Sequence, residues 1–191
     1  MEELKALDEV FAPDSRMEGW GTLESEHREL SEIRLSDSVP EDIRNYFETI
    51  KNICLYGRFV YAFYGVATSL TFLLLEFALK VRLAKGKDQR KGRFKELLRR
   101  AIKDGLINEE GFSHIRQLSE RQAEMRELLQ VEGTPIFTPT ETDSYLKILE
   151  SVLPNFRNRF AHPKHQPIVF PHEARFAIRF AAEFVNQLYA K

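Results

Sequence analysis

The segment FRNRFAHPKH, residues 156–165, brings together side chains that could act on a phosphate group. Arg157 supplies a planar guanidinium that can bind two phosphate oxygens at once. His162 supplies an imidazole that exchanges a proton near neutral pH. Pro163 follows directly, and the residue before a proline is disfavoured in the α conformation. We therefore expect a helix to end at His162.

The position of His162 at a helix end bears on its pKa. The negative end of the helix dipole stabilises the imidazolium, whereas the cations of Arg157, Arg159 and Lys164 oppose it. These opposing effects predict a pKa within reach of neutrality, as general acid–base catalysis requires.

The spacing of the motif brings the two side chains together only at a distorted helix end. Asn158 and His162 are four residues apart and share a face, whereas Arg157 and His162 diverge by about 140° on an ideal helix. Where they converge, the guanidinium would stabilise the transition state of phosphodiester cleavage and the imidazole would move the proton. RNA carries its own nucleophile, the 2′-OH, so this chemistry requires no metal ion in principle.

A simpler interpretation of the same residues stays open. An arginine and a histidine five residues apart occur often by chance, and a histidine before a proline is often a polar helix end. The chain has no glycine-rich phosphate loop, no His-Glu-x-x-His zinc helix and no Gly-x-Ser-x-Gly elbow. Nothing in the sequence indicates a cofactor or a metal site.

Helix signals recur along the chain, whereas the alternating patterns of strands are nearly absent. Ser38 and Glu41 have capping-box spacing, with Pro40 in the first turn. The apolar stripe that follows is Ile43, Phe47, Ile50 and Cys54. The next helix should run from about Arg58 to Lys85 and be the most buried, because it is apolar nearly all round at first.

Four further segments are predicted to be helices, and one of them carries the motif. The segment RFKELLRRAIKDG ends at Gly105, and an outer helix begins at an Asn108 cap. The motif helix should start at Thr138 and bend at Pro154. Its predicted core stripe is Tyr145, Ile148, Leu149, Val152 and Phe156. The stripe of the last helix is Phe176, Ala177, Phe180, Ala181, Phe184, Val185, Leu188 and Tyr189.

Together these elements predict an all-α fold, an up-and-down bundle of five to six helices over residues 38–191. Residues 1–37 should form a loosely tied acidic N-terminal arm. His165 and His172 are interpreted as surface residues, and we assign no role to His27 or His114.

Charge is distributed unevenly, although the net charge is only −1. Residues 1–50 contain 14 acids and 5 bases, whereas residues 80–103 contain 11 bases and 2 acids. The second segment predicts a cationic surface for a polyanion, with Lys87, Arg90, Lys91 and Arg93 as RNA-binding candidates. Alternatively, it is a solvated helix face that pairs with the acidic N-terminal part.

The single cysteine, Cys54, excludes an internal disulfide, and the acidic N-terminus lacks the pattern of a signal peptide. We therefore predict a cytoplasmic protein. The stretch from Val60 to Leu75 has 16 residues without a charge, fewer than the roughly 20 that span a bilayer. It is interpreted as a buried core helix rather than a membrane span.

The sequence LPNFRNRFAHPKH closely resembles the Arg-Asn-x-x-x-His signature of the HEPN superfamily of small helical domains, many of which are metal-independent ribonucleases. The stretch TFLLLEFALKVRL resembles the HEPN helix that carries a glutamate in an apolar run. The resemblance implies that Arg157 and His162 are a catalytic pair and that Asn158 is their polar neighbour. It makes Glu76 a candidate to orient either of them. Glu76 could instead simply pair with Lys80 at i,i+4.

The resemblance also implies partners: RNA, a second copy of the chain with both sites facing one cleft, and an antitoxin such as a minimal nucleotidyltransferase. The leading hypothesis is an endoribonuclease that acts as a toxin or phage-defence effector, with Arg159 and Lys164 contributing to RNA binding. One alternative is a non-catalytic module that binds RNA, a nucleotide or a partner protein. Another is a purely structural bundle whose motif is a dimer contact.

Overall fold

The computed structural model describes residues 4–83, 92–117, 145–161 and 168–190. These ranges contain helices and no strand, which confirms the all-α prediction for the described part of the chain. The helices of ten or more residues are α1 (Leu23–Glu32), α2 (Glu41–Tyr56), α3 (Ala62–Leu83), α4 (Phe94–Lys103), α5 (Tyr145–Ala161) and α6 (Pro171–Tyr189). Residues 113–117 are also helical. The predicted helix start at Thr138 lies outside the described residues.

Helix α3 lies at the centre of the bundle, as its apolar sequence predicts. It packs against α2, α4, α5 and α6, and its buried residues include Leu74, Leu75 and Leu79. The helix begins at Ala62, four residues later than expected, because residues 57–61 form a turn. At this turn a Cβ on Gly57 would lie only 2.8 Å from the Tyr64 ring, so the close approach requires glycine.

Helix α2 buries the apolar stripe that the sequence predicts, with all four of its residues in the core. The predicted capping box is wrong, however. The helix begins at Glu41 with Pro40 as its N-cap residue, and no side chain caps it. The Ser38 hydroxyl instead shares a hydrogen bond of 2.7 Å with the hydroxyl of Ser36. Ser38 lies two positions before the N-cap residue, too early in the chain to cap the helix itself.

The acidic N-terminal segment is not loosely tied over its second half, which corrects the sequence-based expectation. Met17, Leu30 and Ile33 are buried in the core. The Thr22 side chain accepts a hydrogen bond from the Ser25 backbone and caps α1. The acids of α1 misled the prediction because three of them, Glu24, Glu29 and Glu32, are exposed, while Leu30 packs on the bundle and the fourth acid, Glu26, is buried.

A side-chain amide joins the end of the N-terminal segment to the last helix. Asn186 of α6 accepts a hydrogen bond from the Ser36 backbone N–H (2.8 Å) and donates one to the Arg34 carbonyl (3.0 Å). Two backbone groups that no helix satisfies thereby find partners. The connection between α1 and α2 is thus held against the bundle.

The predicted core stripes of α5 and α6 are partly wrong. In α5 the buried apolar residues are Leu149 and Leu153, whereas Ile148, Val152 and Phe156 are exposed. The core-facing side is therefore shifted by one residue from the predicted stripe. In α6 the stripe is buried from Phe180 to Leu188, but Phe176 is 53% exposed. Three of these exposed apolar residues, Val152, Phe156 and Phe176, line a cavity between α5 and the first turns of α6.

Helix α3 also corrects the argument about a membrane span. Its 22 residues are long enough and apolar enough to cross a bilayer. The expectation that this stretch is too short therefore does not hold. Half of its most apolar window is buried inside the protein, as in the core helix of a folded bundle, and such helices satisfy the same length and composition criterion.

Candidate functional site

An ion pair between α3 and α5 joins Glu76 and Arg157, two of the candidate site residues predicted from the sequence. The Nε and Nη2 atoms of Arg157 lie 2.6 Å and 2.5 Å from the same oxygen, Oε2 of Glu76. Glu76 is 9% exposed and lies in the middle of the core helix, so this carboxylate is held with little freedom. The predicted contact between Glu76 and Arg157 is present in the structure.

The second carboxylate oxygen of Glu76 binds a different cation. Lys80 Nζ lies 2.6 Å from Oε1, one turn further along α3. Both contacts that the sequence predicts for Glu76 are therefore present, because Oε2 binds Arg157 and Oε1 binds Lys80. Two cations and one anion leave the cluster with a net positive charge, which suits it to attract a phosphate.

Charge and burial act in opposite directions on Glu76. Burial tends to raise the pKa of its carboxyl, but hydrogen bonds from Lys80 and Arg157, together with their charges, outweigh burial and hold the pKa below its usual value. Glu76 is consequently ionised at neutral pH, and it can keep the Arg157 guanidinium in one orientation.

Asn158 completes the cluster on the α5 side. Its side-chain oxygen accepts a hydrogen bond of 3.2 Å from Nη1 of Arg157. Glu76 thus accepts from one N–H of Nε and one of Nη2, and Asn158 accepts from one N–H of Nη1. A guanidinium has five such donors. Among the described contacts, the second hydrogens of Nη1 and Nη2 are left to bind a ligand. Guanidinium N–H groups of this kind are the donors that bind phosphate oxygens.

Stacked phenylalanine rings position this part of α5 on α3. Phe72, four residues before Glu76, stacks with Phe160 at a ring-centroid distance of 5.1 Å and with Phe156 at 6.0 Å. Phe156 and Arg157 are neighbours on α5, so the rings set the height at which the guanidinium meets Glu76. The ion pair thus closes a contact that aromatic packing has already aligned.

The remaining sequence-predicted residues fall into two groups. His162, Lys164, Lys87, Arg90 and Lys91 lie outside the described residues. Their roles stay predictions, as does the convergence of His162 with Arg157. Within the described ranges, Arg159 is exposed two residues after Arg157, and Arg93 is exposed at the start of α4. Arg159 and Arg93 are accessible to a polyanion.

Two arginines in the described part of residues 80–103 form ion pairs, which the charge count of this segment does not show. Arg99 contacts Glu150 of α5 at 2.5 Å, and Arg100 lies 3.6 Å from Asp104 of its own helical end. These acids lie outside residues 1–50, so for Arg99 and Arg100 the proposed pairing with the acidic N-terminal part is wrong. Their charges contribute less to an RNA-binding surface than the sequence predicts.

Sequence reasoning missed a histidine–tyrosine pair near the α5–α6 contact. His114 Nε2 lies 2.8 Å from the hydroxyl of Tyr145, and their rings meet edge to face. Burial lowers the pKa of His114 and raises that of Tyr145, so both are neutral at pH 7. The residues are 31 positions apart, and no local pattern connects them.

Metal ligands do not converge in the described part of the chain, where no group of three or more His, Cys, Asp or Glu side chains could hold an ion. Comparisons of the chain with family models, with curated proteins and with solved structures found no match.

Proposed function

We propose that this protein is a metal-independent endoribonuclease of the HEPN type. The observation that carries the proposal is the contact of Arg157 with Glu76, which joins the motif helix to the central helix. A guanidinium that is fixed on a buried carboxylate and has further N–H donors on Nη1 and Nη2 suits the binding of a phosphodiester.

In the proposed reaction, Arg157 binds the two non-bridging oxygens of the phosphodiester. The 2′-OH of the preceding ribose attacks phosphorus, so that the O2′–P bond forms and the P–O5′ bond breaks. The products are a 2′,3′-cyclic phosphate and a 5′-hydroxyl. Charge that builds on the phosphoryl oxygens is greatest in the transition state, where Arg157 and the net charge of the Glu76 cluster stabilise it.

The proton steps are assigned to His162 on the motif resemblance alone. A histidine near neutrality could take the proton of the 2′-OH and return one to the leaving oxygen. Glu76 is assigned a positioning role, because its contacts fix Arg157 and it does not itself reach the reacting atoms in this scheme. Asn158 acts in the same way on Nη1 of Arg157.

The test is RNA cleavage in the presence of EDTA, with wild type compared with Arg157→Ala and His162→Ala. We expect cyclic-phosphate ends from wild type and a loss of at least about 100-fold for either variant, the size of removing one transition-state donor. Arg28→Ala and His27→Ala are matched controls, because both residues are exposed on α1. Full activity of either site variant would exclude this mechanism.

A second function, RNA binding without cleavage, is favoured by the exposure of Arg159 and Arg93. It predicts binding with a steep dependence on salt and no product between pH 5 and pH 9. Appearance of a cleaved product excludes it as the whole function.

The proposal extends to the partners that the HEPN resemblance implies. A homodimer with both sites in one cleft, a toxin or phage-defence role and a neutralising nucleotidyltransferase are parts of it. Expression of wild type should arrest growth of a bacterial host, whereas Arg157→Ala should not. Light scattering of the purified protein at the mass of a single chain would exclude the shared cleft.

A further inference from the structure

A cavity of about 750 Å³ lies between α3, α5 and α6. Its walls include seven aromatic rings, namely Phe72, Tyr145, Phe156, Phe160, His172, Phe176 and Phe180. A volume of this size falls within the range of small-molecule sites, which are mostly apolar with a few polar groups. The cavity is therefore large enough for a nucleobase with part of its sugar.

The composition of the cavity favours a flat ring over an aliphatic chain. Phe156 and Phe176 line it and keep 43% and 53% of their surface exposed, so ring faces are accessible to a ligand. Base–aromatic stacking uses such faces and tolerates any base, since every base has a π-face. Cationic Arg159 also lines the cavity, which suits a ligand that joins a ring to a phosphate.

The cavity adjoins the Arg157 cluster. On α3, Phe72 lies one turn before Glu76, a rise of about 6 Å. On α5, the lining residue Phe156 directly precedes Arg157. A phosphate bound by Arg157 would thus lie about one helical turn, roughly 5 to 6 Å, from the cavity, a distance that one nucleotide can span.

We propose that this cavity binds the base of an RNA nucleotide next to the phosphate held by Arg157. This inference rests on the proposed function for the identity of the polymer. It adds a subsite in which Phe176 and Phe156 stack on the base and Arg159 binds the flanking phosphate.

One wall of the cavity is suited to the polar edge of a base. Tyr145 lines the cavity, and its hydroxyl is hydrogen-bonded to His114. A tyrosine hydroxyl can donate and accept, so it can match either type of group on a base edge. Glu109 and Glu183 are the acids whose charges act on this tyrosine, and the His114–Tyr145 pair itself stays neutral at pH 7.

The aromatic surface continues from His172 to the outside of the bundle. Trp20 lies nearly parallel to His172, with ring centroids 6.0 Å apart, and His172 is similarly placed against Phe170 at 5.9 Å. Trp20 is the only tryptophan of the chain and is 37% exposed. Its fluorescence therefore reports on ligands that enter beside His172.

The experiment measures binding of a fluorescein-labelled, fully 2′-O-methylated RNA oligonucleotide in EDTA, by anisotropy and by Trp20 fluorescence. This probe lacks the attacking hydroxyl and cannot be cut by the proposed reaction. We expect Phe176→Ala to weaken binding about tenfold, within the range for removal of one stacking ring. Phe176→Tyr should restore it, and an abasic oligonucleotide should bind wild type as weakly as the variant binds the normal probe.

Phe63→Ala is the matched control, because Phe63 is a partly exposed phenylalanine of α3 that does not line the cavity. Thermal unfolding by circular dichroism verifies that each variant is folded. Equal binding by wild type and Phe176→Ala, or equal binding of the abasic probe, would overturn the inference. So would conversion of a dimer to monomers by Phe176→Ala with RNA affinity unchanged, since a second copy would then occupy the cavity.

The two proposals fail in different ways. If RNA is cleaved but cleavage does not depend on Phe176 or on the base, the proposed reaction is retained and the base-binding cavity is excluded. If binding of the 2′-O-methyl probe depends on the base but ordinary RNA is not cleaved, the base-binding cavity is retained and the proposed reaction is excluded.

Discussion

Glu26 and Glu76 are buried carboxylates in two regions of the bundle, and each meets an arginine from a different element. Glu26 of α1 accepts from Arg58 at 3.3 Å and from the Tyr64 hydroxyl at 3.4 Å. Glu76 of α3 meets Arg157 and Lys80 at 2.5 to 2.6 Å. Both pairs tie segments together, but their contacts differ in length and in the number of cations.

The difference appears in the opposite pKa shifts of the two carboxyls. Burial raises the pKa of Glu26 above its usual value, and the charges of Arg58 and Arg175 only partly offset it. Two close cations overcome the same effect at Glu76, whose pKa is lowered. At Glu26 the neighbouring cations do not fully offset the cost of burying an ionised carboxylate. At Glu76 two close cations do, and the cluster as a whole is positively charged.

Access differs too. The side chain of Arg58 is 14% exposed, and its guanidinium also donates to the carbonyls of Trp20 and Gly21. These contacts of Arg58 hold the N-terminal segment against the bundle. The side chains of Arg157 and Lys80 are 22% and 34% exposed, and Arg157 directly follows Phe156, which lines the aromatic cavity. The first pair is built to hold the fold, and the second has the accessibility that a ligand requires.

Removal of Arg58 should give the largest effect on stability. We expect Arg58→Ala to lower the free energy of unfolding by about 3 kcal/mol, because it leaves Glu26 buried without its cation. RNA cleavage by the folded protein should stay within about twofold of wild type, in contrast to Arg157→Ala. Chemical denaturation measures the first quantity and an EDTA assay the second.

Arg28→Ala, on the exposed face of α1, is the control for loss of an arginine. If Arg58→Ala lowers the free energy of unfolding by less than about 1 kcal/mol, the value of a surface ion pair, then the Glu26–Arg58 pair is not effectively buried.

The pH dependence of stability should separate the two glutamates by sign. The raised pKa of Glu26 means that the folded state holds its proton more tightly, so its contribution is present below about pH 4.5 and is lost as pH rises through the folded pKa. The lowered pKa of Glu76 means the reverse: its contribution is present above about pH 4.5 and is lost as pH falls through the folded pKa.

Unfolding free energies of wild type, Glu26→Gln and Glu76→Gln, measured from pH 3 to pH 7, test this contrast. Relative to wild type, Glu26→Gln should gain stability as pH rises and Glu76→Gln should lose it. Two difference curves of the same sign would contradict the opposite pKa shifts.

Lys80 should have the smallest effect. Its contact with Glu76 is an i,i+4 pair at a partly exposed position, so Lys80→Ala should cost about 0.5 kcal/mol in unfolding free energy. Since Arg157 keeps Oε2 of Glu76, cleavage should fall only severalfold, and the loss should shrink at high salt. Lys147→Ala, at an exposed position of α5, is a control for loss of a lysine side chain. If Lys80→Ala reduced RNA cleavage as much as Arg157→Ala does, Lys80 would contribute as much as Arg157 to phosphate binding.

The sequence predicts the elements and the residues of the Arg157 cluster better than it predicts their surroundings. The α2 stripe is correct because one face alone meets the core. The α5 stripe is wrong because Phe156 stacks on Phe72 with one side only, leaving the other open, and periodicity cannot show which of two adjacent faces is covered. The acids of α1 suggested a free arm, whereas its apolar residues anchor it.

Contacts between distant residues were beyond sequence reasoning. Lys80 was predictable as a partner of Glu76 from its spacing, but Arg157 became one only through the motif resemblance. The cavity and the His114–Tyr145 pair depend on how three helices pack, which no local pattern encodes. The site is thus best predicted where residues are neighbours on one helix.

Cys54 gives the protein a practical property. The chain has one cysteine, and burial in α2 raises the pKa of its thiol to about 12. Such a thiol is almost entirely protonated at neutral pH and shielded from reagents, so it should resist alkylation in the folded state. A single cysteine introduced on the surface of α5 would then take a spin label or a fluorophore selectively, with the native sequence otherwise intact. Distances between labels on two copies, with and without RNA, could be measured on this protein directly.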